Sequence, residues 1–192
     1  MRYFIDTEFI EYPGHIELLS IGIVSGDNRE LYLENDEADL SMASDWVRKN
    51  VLKGMKYYNP TKDMKRFDYD MMDQDNHEMV RPNDIRDRIL EFTYYDESDP
   101  ASKEPIEFWG YYSSYDWVTF CWLWGGMIDL PAAFPMYCRD LKQIIDMFHI
   151  NKDHIDTMVK QEDEHHALAD ARWNKRVFDY ITPQLQGRPM YF

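Results

Sequence analysis

The sequence predicts an α/β fold, a mixed sheet flanked by helices within one domain spanning 1–192. Three observations carry that expectation. The N-terminal segments up to Leu33 are apolar and β-rich, a strand-like run at 106–112 passes straight into a helical pattern at Asp116, and two helical stripes follow from Cys138 onward. A chain of 192 residues with 44% hydrophobic and 16% aromatic content has the size of one domain and enough apolar mass for its core.

Taken in order, Arg2 to Asp6 reads as a strand, Leu18 to Val24 as a second, and Glu30 to Leu33, with Leu31 and Leu33 alternating, as a third. Ser25-Gly26-Asp27-Asn28 is a turn cluster, so the last two form a hairpin of a meander. Ser44 to Leu52 reads as a short helix. Asn83 to Tyr94 reads as another, with Ile85, Ile89, Leu90 and Phe92 as its apolar stripe and Asn83 placed to cap it. Residues 54–100 hold the stretch Gly54 to Arg81, rich in Asp, Met and Lys without a period, and the breaker cluster Asp96-Glu97-Ser98-Asp99-Pro100; this region reads as an insertion or long loop. Ile106 to Tyr112 is a buried strand, Asp116 to Trp124 a helix stopped by Gly125-Gly126, and Asp116 stands at the hinge between them. Cys138 to Phe148, with Leu141, Ile144, Ile145 and Phe148, and Ala167 to Tyr180, ended by Pro183, supply the last helices.

Composition restricts the class. No run of about 18 apolar residues exists and the opening Met1-Arg2-Tyr3-Phe4-Ile5 lacks a signal-peptide pattern, so the expectation is a cytoplasmic protein without a membrane partner. Cys121 and Cys138 form no CxxC pair, which leaves no disulfide framework or structural zinc site. The balance of 36 acidic against 21 basic residues, a net charge of -15, excludes extended coating of a duplex. It permits an enzyme that holds one strand end with a few local cations and charge borrowed from metal ions.

Chemistry concentrates in three places. Asp6 and Glu8, two apart on the first strand, project to one face, where like charges repel and lose hydration; a hard divalent cation, Mg2+ or Mn2+, resolves that conflict. Alone, the pair equally fits a solvated strand end. Asp116 follows an apolar strand at a helix start, where it can face the same cleft or simply cap its helix. His165 precedes the last helix by a step that hangs it over a metal held by Asp170.

Together, Asp6-x-Glu8, Tyr115-Asp116 and His165-x-Ala167-Leu168-x-Asp170 resemble the three motifs of the DEDDh exonuclease superfamily, which includes ribonuclease T, oligoribonuclease and the polymerase III proofreading subunit. Within it, the segment Trp109-Gly110-Tyr111-Tyr112 through Tyr115-Asp116-Trp117 most resembles the bacterial and phage exoribonuclease family first described in mycobacteria. The resemblance implies a ribonuclease H-like fold, two Mg2+ or Mn2+ ions held by Asp6, Glu8, Asp116 and Asp170, and His165 as the base that deprotonates the attacking water. It further implies release of nucleoside monophosphates from the 3′ end of single strands or 3′ overhangs, with RNA favoured. A DNA-directed exonuclease for proofreading or repair, or a silent adaptor of the same fold, would share much of this pattern. His166 occupies the variable slot beside the base.

The resemblance sets Phe9 and Ile10 beside the terminal nucleotide. Tyr111, Tyr112, Tyr115 and Trp117 are available to stack on bases or to fill the core. Phe120, Trp122, Leu123 and Trp124 read as core or an oligomer face, and the aromatic excess around Trp122 and Trp124 suggests a homodimer. Arg139 and Lys142 are candidates for phosphate contact or for solvated ion pairs.

Overall fold

A computed structural model describes residues 1–56, 58, 79–93, 106–185 and 187. Strands β1 (Arg2–Tyr12), β2 (His15–Ser25) and β3 (Glu30–Asn35) form an antiparallel meander. It is wider than the apolar runs alone indicate, because Pro13-Gly14 closes β1 onto β2 in a tight turn, with Gly14 at φ 82° where a side chain would be strained. Helix α1 (Asp45–Asn50) and a 3-10 turn (Leu52–Gly54) follow, then β4 (Met79–Val80), α2 (Pro82–Phe92), β5 (Glu107–Gly110) and α3 (Ser114–Trp122). The chain continues through β6 (Arg139–Asp140), α4 (Leu141–Met147), α5 (Lys152–Met158) and α6 (Ala167–Ile181).

The sheet runs β4-β3-β2-β1-β5-β6, with β5 parallel to β1, β6 parallel to β5 and β4 parallel to β3. Alternation along β1 decides the layers. Tyr3 and Ile5 pack with Ile85 and Ile89 of α2 and Phe120 of α3 on one face, whereas Phe4 packs with Leu141, Ile145, Val177 and Phe178 of α4 and α6 on the other. A third cluster joins Ile10 and Leu19 to Val51, Leu52 and Met55, fixing the α1 region beside the far half of β1.

Other differences from the sequence reading concern the helices α2, α4 and α5. Asn83 does not cap α2; Arg81 takes that place and Pro82 opens the helix, where its missing N–H and fixed φ are harmless. The helix expected from Cys138 begins only at Leu141, because Arg139–Asp140 extend the sheet and the Asp140 carboxylate caps α4 by accepting from the Lys142 and Gln143 amides. Helix α5 went unread: Asn151 caps it, but only Ile155 is buried, so it carries no apolar stripe. Of the 54–100 region, β4 and α2 are described; most of the Gly54–Arg81 stretch, Tyr94 and the Asp96–Pro100 cluster lie outside the described residues. No helix among the described residues is long and apolar enough to cross a membrane.

Candidate active site

Asp6 and Glu8 sit on the β1 face that receives α6, paired across the sheet with Gly22 and Ser20 of β2. Gly22 is the reason α6 can reach them. A Cβ there would lie 2.3 Å from the Ala167 carbonyl oxygen and 2.4 Å from the Leu168 nitrogen, so the first turn of α6 rests directly on backbone beside Asp6. The buried Asn174 side chain then donates to the Ile5 carbonyl at 2.9 Å, pinning the same helix to the residue before Asp6. The result brings Asp170 to the strand pair: one oxygen from each of Asp6, Glu8 and Asp170 lies within 4.8 Å of the others, close enough to bind a metal ion.

Asp116 arrives from the other layer. The β5–α3 connection is tight, since a Cβ on Gly110 would lie 2.6 Å from the Ser113 Cβ and 3.3 Å from the Ile5 carbonyl oxygen. Asp116 Oδ1 accepts from the Thr7 amide at 2.8 Å and from Thr7 Oγ1 at 2.6 Å, which leaves its second oxygen unengaged by these bonds. Asp116 is not part of the tight three-oxygen group, yet its charge acts on it.

The electrostatics record that crowding. Burial, followed by the charges of Asp116, Glu8 and Asp170, holds Asp6 well above the ordinary carboxylate range. Burial and then Asp170 and Asp116 push Glu8 up to about 8. Burial raises Asp116 to about 6 against the opposing pull of the Thr7 hydrogen bonds. Asp170 is raised by burial and restrained by Gln161, whose Nε2 donates at 2.6 Å, and by the His165 amide. All four shifts have one sign, and burial is the first cause of each.

His165 and His166 part ways. His165 has left-handed backbone, φ 69°, a conformation uncommon outside glycine; its amide donates to Asp170 Oδ2 at 3.0 Å and its ring meets Trp46 edge-on at 4.9 Å. His166 stacks on Tyr32 at 4.5 Å, with its Nδ1 buried and unbonded among the described residues. The carboxylate rim therefore carries His165, and His166 packs against the sheet.

The family model for the 3′-5′ exoribonuclease Rv2179c-like domain matches residues 1–182. This chain belongs to that family. It is 36% identical over 182 residues to the 3′-5′ exoribonuclease Rv2179c of Mycobacterium tuberculosis strain H37Rv, covering 95% of this chain and 94% of that protein. The same figures hold for the strain CDC 1551 protein, 3′-5′ exoribonuclease MT2234.1. Among solved structures, Schizosaccharomyces pombe Pop2p in its Mg2+- and Mn2+-bound form superposes with TM-score 0.51 at 14% identity, covering 96% of this chain and 84% of that one. A 3′-exonuclease described for 3′-end recognition of the histone mRNA stem-loop gives 0.57 at 11% identity, covering 100% and 84%. These likenesses show the ribonuclease H-like exonuclease fold.

In this family member the expected aromatic residues separate. Phe9 and Tyr115 meet edge-to-face at 5.9 Å, directly after Glu8 and directly before Asp116. A register shift between Glu8 and Phe9 re-aims the strand there. Tyr112 is exposed at φ 55°, and Tyr111 leans on Trp173 at 5.0 Å. Trp117 corrects the sequence reading as a base-stacking candidate: it lies in the core, stacked on Phe120 at 4.8 Å and 10°, which leaves no face for a base. Ile10 is likewise buried in the third cluster. Phe120 is core and Trp124 packs on it, so Trp122, half exposed, is what that stripe presents to solvent. Arg139 bonds Glu107 and Tyr137, and Lys142 pairs with Asp146 one helical turn on.

Sequence reasoning missed Gly22, Thr7, Asn174, Gln161 and Trp46. Gly22 had a detectable signal, a glycine inside an apolar strand, which marks close backbone approach. Thr7, Asn174 and Trp46 act through contacts between distant segments, such as the 169-residue separation of Asn174 and Ile5, and Gln161 reaches Asp170 from the loop nine residues before it; none left a local pattern.

Proposed function

We propose that this chain is a metal-dependent 3′-5′ exonuclease acting on single-stranded ends or 3′ overhangs, with RNA as its favoured substrate. The observation that carries the reading is the meeting of Asp6, Glu8 and Asp170, from β1 and α6, within one 4.8 Å oxygen group that Asp116 borders and charges. Family membership and the name of the Mycobacterium tuberculosis relative support the polarity and the RNA preference. The Mg2+ and Mn2+ of the Pop2p structure, and the hard oxygen donors here, support two such ions, which Asp6, Glu8, Asp116 and Asp170 would hold.

When bound, a pair of these ions supplies an acidified water and neutralisation of charge on the leaving 3′ oxygen. The chain's residues do the rest. His165, placed at the rim by its amide bond to Asp170, accepts the proton of the attacking water. Thr7 orients Asp116 by bonding one oxygen and leaving the other for the group, and Gln161 with the His165 amide fixes Asp170 by bonding one oxygen each. The Phe9–Tyr115 pair flanks the terminal nucleotide, and exposed Tyr112 offers a further ring.

A single exonuclease domain accounts for the chain in this proposal, with its free cysteines Cys121 and Cys138 suited to a reducing cytoplasm. Exposed Val118 and Trp122, one turn apart on α3, would form the contact of a homodimer, and a monomer mass in light scattering removes that part. The deciding experiment digests matched RNA and DNA strands labelled at the 5′ end, with Mg2+ or with excess chelator. A ladder shortening from the 3′ end, faster on RNA and abolished by chelator, is expected. Full activity in chelator, or internal cleavage, overturns the reading.

A further inference from the structure

A chain with net charge -15 must still hold a polyanion, and one surface beside the site has the opposite sign. From the start of α1 at Asp45 to Lys56 the chain carries Arg48, Lys49, Lys53 and Lys56 against one acid, Asp45. Two contacts fix this segment next to the carboxylates. The Trp46 ring meets His165 at 4.9 Å, and Val51, Leu52 and Met55 pack with Ile10, two residues beyond Glu8.

The charges of Arg48, Lys49 and Lys53 are also available. Elsewhere, Arg2, Arg139, Lys142, Lys152, Arg172 and Lys175 are each committed to a carboxylate. Arg48 bonds instead to the Leu40 and Ala43 carbonyls, which orders the guanidinium without cancelling its charge. Lys49 and Lys53 are exposed, with no ion pair among the described residues. Lys49 stands three residues from Trp46 and so shares its side of α1.

We propose that Lys49 and Lys53 line the path of the substrate strand 5′ to the scissile linkage, each meeting a backbone phosphate. The substrates favoured are then single strands of several nucleotides over dinucleotides. This rests on the exonuclease reading and names how that site takes hold of its strand.

The test is equilibrium binding of a 5′-fluorescein single strand of about ten nucleotides, with Ca2+ replacing Mg2+ to hold back hydrolysis, across a salt series. Each phosphate contact contributes about 0.7 to the slope of log affinity against log salt for a single strand. Lys49→Gln with Lys53→Gln should weaken binding roughly tenfold at low salt and flatten the slope by about 1.4, twice that contribution. Lys49→Arg with Lys53→Arg should restore both values. Lys152→Gln with Lys175→Gln, which removes two ion-paired lysines of α5 and α6, should leave the slope unchanged. A slope untouched by the Lys49 and Lys53 changes, or flattened equally by the Lys152 and Lys175 changes, overturns the path. Hydrolysis of a nucleoside 5′-(p-nitrophenyl phosphate) by the wild-type protein with Mg2+ tests the underlying reading separately. If that ester is cleaved while the slope does not move, the strand path alone fails; if it is not cleaved, the exonuclease reading fails and the path with it.

Discussion

Supplying Mg2+ to the metal-free protein should raise its melting temperature, and the rise should be larger at pH 8 than at pH 5. A carboxyl group whose folded pKa lies above its ordinary value holds its proton more tightly in the folded chain than in the unfolded one. Its contribution favours the fold at low pH and turns against it as pH climbs from the ordinary value to the raised one. For Glu8 that interval runs from 4.5 to about 8. For Asp116 it runs from 3.8 to about 6, and Asp6 and Asp170 move in the same direction. At about pH 7 Glu8 is ionised in the unfolded chain but still holds its proton in the folded one, and this difference costs folding roughly 3 kcal/mol, at 1.36 kcal/mol per pH unit above 4.5. The four groups share one field, so their penalties do not add.

A cation that neutralises the cluster recovers that energy through binding to the folded state alone. For a domain of this size, roughly 3 kcal/mol corresponds to a melting shift of about 6 to 12 °C. The assay is thermal unfolding followed by near-ultraviolet circular dichroism, with excess chelator or millimolar MgCl2, from pH 5 to pH 8. Because other surface acids also titrate, Glu8→Gln is the control. In chelator at pH 8 it should melt above the wild type, having lost a buried charge of the same shape, and its response to Mg2+ should be much reduced. A Glu8→Gln variant that tracks the wild type under both conditions, or a Mg2+ effect as large at pH 5 as at pH 8, refutes the reasoning.

Gly22→Ala drives a methyl group into the Ala167–Leu168 backbone and should cost at least 2 kcal/mol or so in urea unfolding while removing exonuclease activity. Asn174→Ala leaves the buried Ile5 carbonyl unpaired, about 1 to 3 kcal/mol, and should weaken Mg2+ binding in calorimetry because α6 no longer holds Asp170 in register. His165→Ala should lower turnover by about 100-fold or more on a single-stranded or 3′-overhang substrate and keep most of the melting response to Mg2+, since its amide bond to Asp170 survives. His166→Ala should chiefly lower stability through the lost Tyr32 stack, and equal rate losses from both histidines would end the assignment of the base.

The acidic site was legible because each of its parts has a local period. Asp6 and Glu8 share a strand face by alternation, and Asp170 falls in the first turn of α6, five residues after His165. What distinguishes His165 from His166 in the fold is backbone handedness and the Tyr32 stack, both products of how α6 meets β2 and β3, so spacing could rank them only through the family pattern. The aromatic residues were poorly legible for a related reason. Trp117 and Tyr115 stand two apart at the start of α3, on different sides of a helix whose apolar residues go nearly all round, so composition could not say that one is core and the other half exposed. Helix α5 lacked a stripe altogether, and β6 is two residues long.

One structural coupling bears on the chemistry. Asp170 receives the His165 amide on one oxygen and Gln161 on the other, so ligand and base are held by the same carboxylate. The segment from Gln161 to His165 precedes α6 and contributes no residue to the apolar clusters, whereas Trp173, Val177 and Phe178 further along α6 are deeply packed. Repulsion among Asp6, Glu8 and Asp170 therefore acts at the first turn of α6, next to the exposed Gln161–Glu164 stretch. Neutralising that repulsion steadies Asp170 and, through the amide bond, the backbone that aims the His165 ring. The position of the base and the occupancy of the carboxylate group are then one variable, and a change that loosens the group, such as Asn174→Ala, should lower turnover at limiting Mg2+ more than at saturating Mg2+.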